Sequence, residues 1–247
     1  MDYSPYLEVT WRVLVFAFWS SFWPRRAVKA RLEPLLGFRV YRVFYNIGTI
    51  WLLSWSYAYL VYKSPDTIKL WDLHDYAWFK PLIYALGALC IFFLTSLVQF
   101  GLSFWGIKKP PTDVKLYTNG FYKITRHPLY WAVFCLFLSH TLSMGTTLAV
   151  LYFVLIELYN VVAVIALENR GLARDFGPAL KEFHARTSTL PFKSLIDGRS
   201  RLGADELPVR WLVGAAALTL LVASLHDVII LGTLQLLRPV MVFGGGG

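Results

Sequence analysis

The chain has 247 residues, 57% of them hydrophobic, 17% aromatic and only 16% charged. Long uncharged runs at that composition exclude an ordinary soluble domain and point to lipid as the solvent. The net charge of +9 does not argue for nucleic acid, because the basic residues gather in short stretches between apolar runs, the pattern that encodes membrane topology.

The N-terminal Met1-Asp2-Tyr3 is acidic and has neither a basic n-region nor a cleavage motif, so no removable leader is expected. The first apolar run covers residues 6–23, the second roughly 41–62 and the third 78–105. A fourth opens at Pro128 and continues to about Met144. After the turn Gly145-Thr146-Thr147 a fifth ends near Leu167, and a sixth covers about 209–237. Each is near the ~20 residues that cross ~30 Å of hydrocarbon, the fourth at the short limit. Cys90 and Cys135, the two cysteines, lie inside apolar runs with no CxxC or other zinc-ligand spacing, so neither a disulfide framework nor a structural zinc is expected.

Basic residues favour alternate connections. Arg25, Arg26, Lys29, Arg31 and Arg39 follow the first run, and Lys108, Lys109, Lys115, Lys123 and Arg126 precede the fourth. Arg170, Arg174, Lys181, Arg186, Lys193, Arg199 and Arg201 separate the fifth from the sixth. The other connections hold only Lys63, Lys69 and Lys80 in one, none in the next, and Arg238 after the sixth run. A positive-inside reading puts the three basic loops in the cytoplasm and both termini outside. In the last basic loop, Leu167, Leu172, Phe176, Leu180 and Phe183 recur at helical spacing among charges. That predicts an interfacial amphipathic helix after the fifth span, bent at Gly177-Pro178. The expectation is an all-α, polytopic membrane helix bundle of about six transmembrane helices. It forms one domain over residues 1–243, with a flexible glycine tail at 244–247.

Depth distinguishes the histidines. His127 opens the fourth span at the cytoplasmic face, and His140 lies about 20 Å deeper at about 1.5 Å per residue. His226 lies about 25 Å beyond Val209 on the same reckoning, at a depth similar to His140. Two histidines facing each other across a bundle can ligate a haem iron axially. The plainer role of each is a polar residue near a helix end, bonded to a neighbour or to water. Glu157, mid-span with Asn160 one turn on, is a functional candidate as an intramembrane ionisable group, its plainer role being a hydrogen bond to a neighbouring helix. A second constellation is Arg126-His127-Pro128 before the fourth span and Glu168, Arg170 and Arg174 after the fifth. The tight hairpin returns these groups to one side, beside Tyr122, Tyr130 and Trp131, where they form a candidate site for an anionic or zwitterionic cofactor. Arg126 alternatively snorkels to lipid phosphate.

Several motifs carry a family resemblance. Ile124-Thr125-Arg126-His127-Pro128 resembles the ITRHP motif of the NnrU protein family, which includes the plant and cyanobacterial 15-cis-zeta-carotene isomerases. Ser139-His140-Thr141-Leu142-Ser143-Met144-Gly145 is similar to that family's AHTLxxG, and Arg186-Thr187-Ser188-Thr189-Leu190-Pro191-Phe192 to its RTSxxPF. Ile196-Asp197-Gly198-Arg199-Ser200-Arg201-Leu202 is similar to its IDGRxxL, and Leu225-His226 sits where such proteins often carry a late histidine. For the isomerase branch the resemblance implies haem b and isomerisation of a carotenoid double bond; for the NnrU branch it implies a link to nitrogen-oxide respiration (denitrification). It implies His140 as the haem ligand and metal-binding residue. These families usually carry a histidine near the end of the first span, where this chain has Ser20-Ser21-Phe22-Trp23. The alternatives are His226 or His127 as partner, a five-coordinate haem, or no haem.

A rival resemblance is to membrane S-adenosylmethionine-dependent methyltransferases of the isoprenylcysteine carboxyl and methanethiol types. Gly120-Phe121-Tyr122 with Arg126-His127-Pro128-Leu129-Tyr130 looks like their GxYxxxRHPxY, and Glu168-Asn169 with Phe176-Gly177 like their EExxLxxxFG. Asn169 in place of a second acid and Ala132 in place of a glycine depart from it. That reading implies S-adenosylmethionine bound by Arg126, His127 and Glu168 and methylation of a small thiol or lipidic substrate. A third reading is a non-catalytic membrane subunit packed in a larger complex. The expected partners are the bilayer and a hydrophobic small molecule such as a carotenoid, with no nucleic acid, in a bacterial inner membrane or a plastid membrane.

Overall fold

The computed structural model describes residues 2–100, 116, 118–163, 168–203 and 206, together with 213–214, 216–218, 220–222 and 224–225. The described residues are all-helical and contain no strand beyond an isolated bridge between Lys69 and Thr146. In chain order the α-helices are α1 (Ser4–Phe22), α2 (Arg26–Leu36), α3 (Phe38–Lys63), α4 (Phe79–Leu94), α5 (Phe121–Ile124), α6 (Pro128–Met144), α7 (Thr147–Val162), α8 (Asn169–Arg186) and α9 (Lys193–Ile196).

Local chemistry sets these bounds. Asp2 accepts from the Ser4 backbone N–H and hydroxyl at 2.9 Å, and Pro5 occupies the first turn of α1, where its missing N–H costs nothing. Gly37 ends α2 and leads directly into α3. Pro128 opens α6, and Gly145 closes it in the left-handed region at φ 62°. The Thr146 hydroxyl then accepts from Ala149 N–H at 3.3 Å to start α7. The predicted bend in the amphipathic helix is present, because Gly177 breaks α8 at φ 41°, ψ −111° before Pro178.

The fold has two apolar cores that share α6. Val9, Val13 and Phe16 of α1, Leu52, Tyr59 and Leu60 of α3, Phe137 of α6 and Leu148, Tyr152 and Ile156 of α7 form the first. Cys90 and Phe93 of α4, Phe121 and Ile124 of α5 and Ala132 and Cys135 of α6 form the second. Both cysteines are therefore free, buried packing residues.

Elements meet at two ends. At one, the Tyr6 and Thr147 hydroxyls are 2.6 Å apart, Ser64 bonds Thr146, and the segment after α3 docks on the α6–α7 turn through Leu70 N–H to the Gly145 carbonyl at 2.7 Å. At the other, Arg26 pairs with Asp175 of α8, Arg126 meets the end of α8 and the chain that follows it, and Lys123 meets Arg201 further on. Helices α1, α3, α6 and α7 thus run alternately between these two ends. The expected apolar runs at 6–23, 41–62 and 128–144 overlap α1, α3 and α6, and the third and fifth overlap α4 and α7 in part; residues 101–105 and 164–167 of those two runs and most of the sixth lie outside the described residues. Among the described residues one helix, Phe79–Leu97, is long and apolar enough to cross a bilayer by length and hydropathy, with 19 residues. Helices α6 and α7 are apolar but shorter, at 17 and 16 residues, and α1 carries Glu8 and Arg12 within it.

Candidate functional sites at the two ends of α6

The Arg126-His127-Pro128 constellation is built by a long-range backbone junction. Thr125 leaves α5 in an extended conformation, and its hydroxyl donates to the Thr189 carbonyl at 2.7 Å. The Arg126 N–H donates to the Ser188 carbonyl at 2.9 Å. Its guanidinium donates to the carbonyls of His184 at 2.6 Å and Thr187 at 2.9 Å, and to the Thr187 hydroxyl at 3.2 Å. The Trp131 indole N–H closes the junction on the Thr189 carbonyl at 2.8 Å. Arg126 is therefore a clamp between the motifs at 124–128 and 186–192. Burial first, then the neighbouring Arg126 guanidinium and His127, lower the pKa of His184 from its ordinary value.

His127 and Glu168 converge as expected. His127 is 8% exposed, and its Nδ1 lies 3.6 Å from a Glu168 carboxylate oxygen, beyond hydrogen-bond reach. That Nδ1 has no hydrogen-bond partner, and neither does the buried Oδ1 of Asn169. Next to them a cavity of about 400 Å³ opens between α6 and α7, lined by Tyr130, Trp131 and Phe134 on one side and Glu157, Asn160 and Val161 on the other. Asn160 donates to Glu157 at 3.3 Å, so these two residues bond to each other across one turn. Arg170 and Arg174 are solvent-exposed on α8, and Arg174 lies 3.8 Å from Asp175.

His140 sits near the other end of α6, about 20 Å away along the helix. Its Nδ1 is 2.8 Å from the Leu136 carbonyl, and a carbonyl only accepts, so Nδ1 carries the proton. In the neutral ring the lone pair is then on Nε2, the form of imidazole that ligates a metal. The Tyr57 ring of α3 meets it edge-on at 5.2 Å between centroids. The plainer role and the ligand role thus coexist in one geometry. His226 lies outside the described residues. Among the described residues no group of three or more His, Cys, Asp or Glu side chains is placed to hold a metal ion.

Sequence reasoning missed one residue. Arg12, inside the first span, is 3% exposed, bonds Glu8 at 2.8 Å and lies 4.2 Å and 4.3 Å from the ring centroids of Trp55 and Tyr59. The signal was an acid and a base four residues apart within an apolar run.

Two curated proteins from plants are similar to this chain. The 15-cis-zeta-carotene isomerase, chloroplastic, of Zea mays is 28% identical over 173 residues, which is 70% of this chain and 46% of that protein. The protein of the same name from Arabidopsis thaliana is 26% identical over 202 residues, 82% of this chain and 54% of its own length. The chain spans about half the length of these relatives. No solved structure gives a significant match. The family described as NnrU protein matches residues 9–233, from the second turn of α1 to beyond the last described residue, and the chain belongs to that family.

Proposed function

We propose that this chain is a membrane-embedded isomerase of the NnrU family that acts on a long apolar polyene, with His140 as the residue that would hold haem b. The relatives' name supplies the reaction class, cis–trans isomerisation of a carotenoid-like substrate. The observation that carries the ligand assignment is the Nδ1 contact of His140 with the Leu136 carbonyl, which orients the ring and leaves the lone pair on Nε2. Haem b, when bound, would supply a redox-active iron able to weaken a substrate double bond. The chain's own part is to fix the imidazole, exclude water and admit an apolar substrate. Tyr57 buttresses the ring, and His226, at the corresponding depth of the sixth apolar run, is the proposed second ligand.

Membrane embedding is supported by apolar side chains that remain largely exposed among the described residues. Leu7, Trp11, Leu14 and Phe18 form an exposed stripe on α1, and Val40, Phe44, Ile47 and Trp51 repeat the same spacing on α3. Water would not tolerate two such stripes on one fold. A bacterial inner membrane and a plastid membrane are the two settings consistent with the family.

The test is the optical spectrum of the full chain, purified in detergent from haem-replete cells, oxidised and dithionite-reduced. A Soret band with b-type α and β bands is expected, absent in His140→Ala and retained in His127→Ala. Turnover of a 15-cis polyene by the reduced protein is the next assay. A colourless protein would remove haem from the reading, and a band that survives His140→Ala would remove His140. S-adenosylmethionine binding that depends on His127 and Glu168 would instead support the methyltransferase alternative, and a protein that binds neither would be a packing subunit.

A further inference from the structure

We propose that the cavity between α6 and α7 is a second binding site, which takes the hydrogen-bond-donating head of a membrane-soluble amphiphile, a hydroxyl or an ammonium, with its apolar tail lying along α7. The inference rests on the membrane-embedded reading and not on haem. His127, at the cavity, and His140 are about 20 Å apart and about 140° apart around α6, so each site stands or falls alone.

The cavity's volume of about 400 Å³ lies within the range of small-molecule sites. Its polar end has acceptors left over, while the donors of Arg126 and Trp131 are engaged by backbone carbonyls. The Arg126 guanidinium donates to the His184 and Thr187 carbonyls, and the Trp131 indole N–H to Thr189. Against these stand the Glu157 carboxylate, which accepts from Asn160 through one oxygen, the Glu168 carboxylate beside Tyr130 and His127, and the unpartnered Asn169 Oδ1. The buried Nδ1 of His127 also has no partner. Buried polar atoms without partners are uncommon and costly, and a donor brought in by a ligand relieves that cost where a carboxylate or phosphate head would add to it. The wall is aromatic, and Val161 at the mouth is half-exposed and continues the bare stripe of Val154 and Leu158. A ligand therefore enters sideways from lipid and keeps its tail there.

The experiment uses the full chain in phosphatidylcholine nanodiscs with hexadecanol, hexadecylamine and hexadecanoic acid, each bearing a diazirine near the head. After photolysis, labelled peptides are mapped by mass spectrometry. The alcohol or the amine is expected to label the peptides holding Trp131, Phe134 and Val161 about tenfold more than the acid does, equivalent to about 1.4 kcal/mol of head-group preference. The stronger of the two probes identifies the head. Val161→Trp fills the mouth from an exposed position that folding tolerates, and Glu157→Leu removes an acceptor; each is expected to cut that labelling about tenfold. Equal labelling by the acid, labelling spread over α1 and α3, or labelling unchanged in Val161→Trp would overturn the proposal. Protection of the cavity by S-adenosylmethionine would also overturn it, in favour of a soluble cofactor. Failure to enter nanodiscs would strike the membrane reading itself, and this proposal with it.

Discussion

Arg12 carries a charge through the middle of an apolar helix, and its surroundings show what that requires. Glu8 takes its Nε, two aromatic faces from α3 cover the guanidinium, and Nη1 still lacks a partner. Cation–π contact offsets part of the desolvation, and the carboxylate offsets more. Removing only Glu8 leaves a buried charge uncompensated. Glu8→Leu is therefore expected to cost about 2 kcal/mol, less than the roughly 3–5 kcal/mol of a fully buried pair because Glu8 is partly exposed. The double variant Glu8→Leu/Arg12→Met is expected to recover most of that loss, since it removes both charges and keeps a long apolar side chain under Trp55. Denaturant unfolding in micelles measures both, and a double variant less stable than Glu8→Leu would show that Arg12 stabilises the bundle by itself. Single-residue roles were only partly legible in the sequence. The position of His140 and the convergence of His127 with Glu168 follow from helix spacing and one hairpin, whereas the role of Arg126 depends on carbonyls 58 and 61 residues away, which local pattern does not encode.

At the scale of elements, the α6–α7 hairpin depends on Gly145. This residue has φ 62°, and its carbonyl accepts from Leu70 N–H at 2.7 Å and Trp71 N–H at 3.3 Å. A Cβ there would collide with the Trp71 carbonyl and indole, so Gly145→Ala must displace the segment after α3 as well as bear the left-handed conformation. The expected cost is about 3 kcal/mol, seen as a lower thermal midpoint together with new proteolytic cleavage between residues 67 and 75. Gly177→Ala is the control, because φ is also positive there but nothing lies within 4 Å. Its expected cost is about 1 kcal/mol without new cleavage. Equal effects would mean that Trp71 does not matter. Apolar runs located α1, α3, α4, α6 and α7, and Gly177-Pro178 located the bend in α8. The same criterion overlooked α2, whose charged sequence Arg26–Leu36 reads as a loop although it forms 11 residues of helix. It also gave no sign of the docked segment at 67–71, which is held by backbone bonds and has no side-chain periodicity.

Across the whole molecule, the exposed apolar stripes and the two chemically different ends have one common explanation. The basic segments around Arg26, Lys123 and Arg186 lie at one end, where Trp19, Trp23, Tyr41 and Phe44 also cluster. The start of α1, the end of α3 and the α6–α7 turn lie at the other. A bilayer covering the stripes between them would place the basic, aromatic end at the cytoplasmic interface. That assignment predicts opposite accessibility for two exposed positions, Asp75 beyond the docked segment and Lys181 on α8. In a Cys90→Ser/Cys135→Ser background, Asp75→Cys is expected to react with an impermeant maleimide in intact spheroplasts, and Lys181→Cys only after permeabilisation. Both positions reacting from the same side, or release of the protein by alkaline carbonate, would exclude a spanning bundle. The reverse pattern would keep the bundle and invert it, which would move the His127 cavity to the outer face and His140 to the inner one. Orientation therefore decides from which leaflet each site on α6 is reached, while the separation of the two sites is fixed by the helix itself.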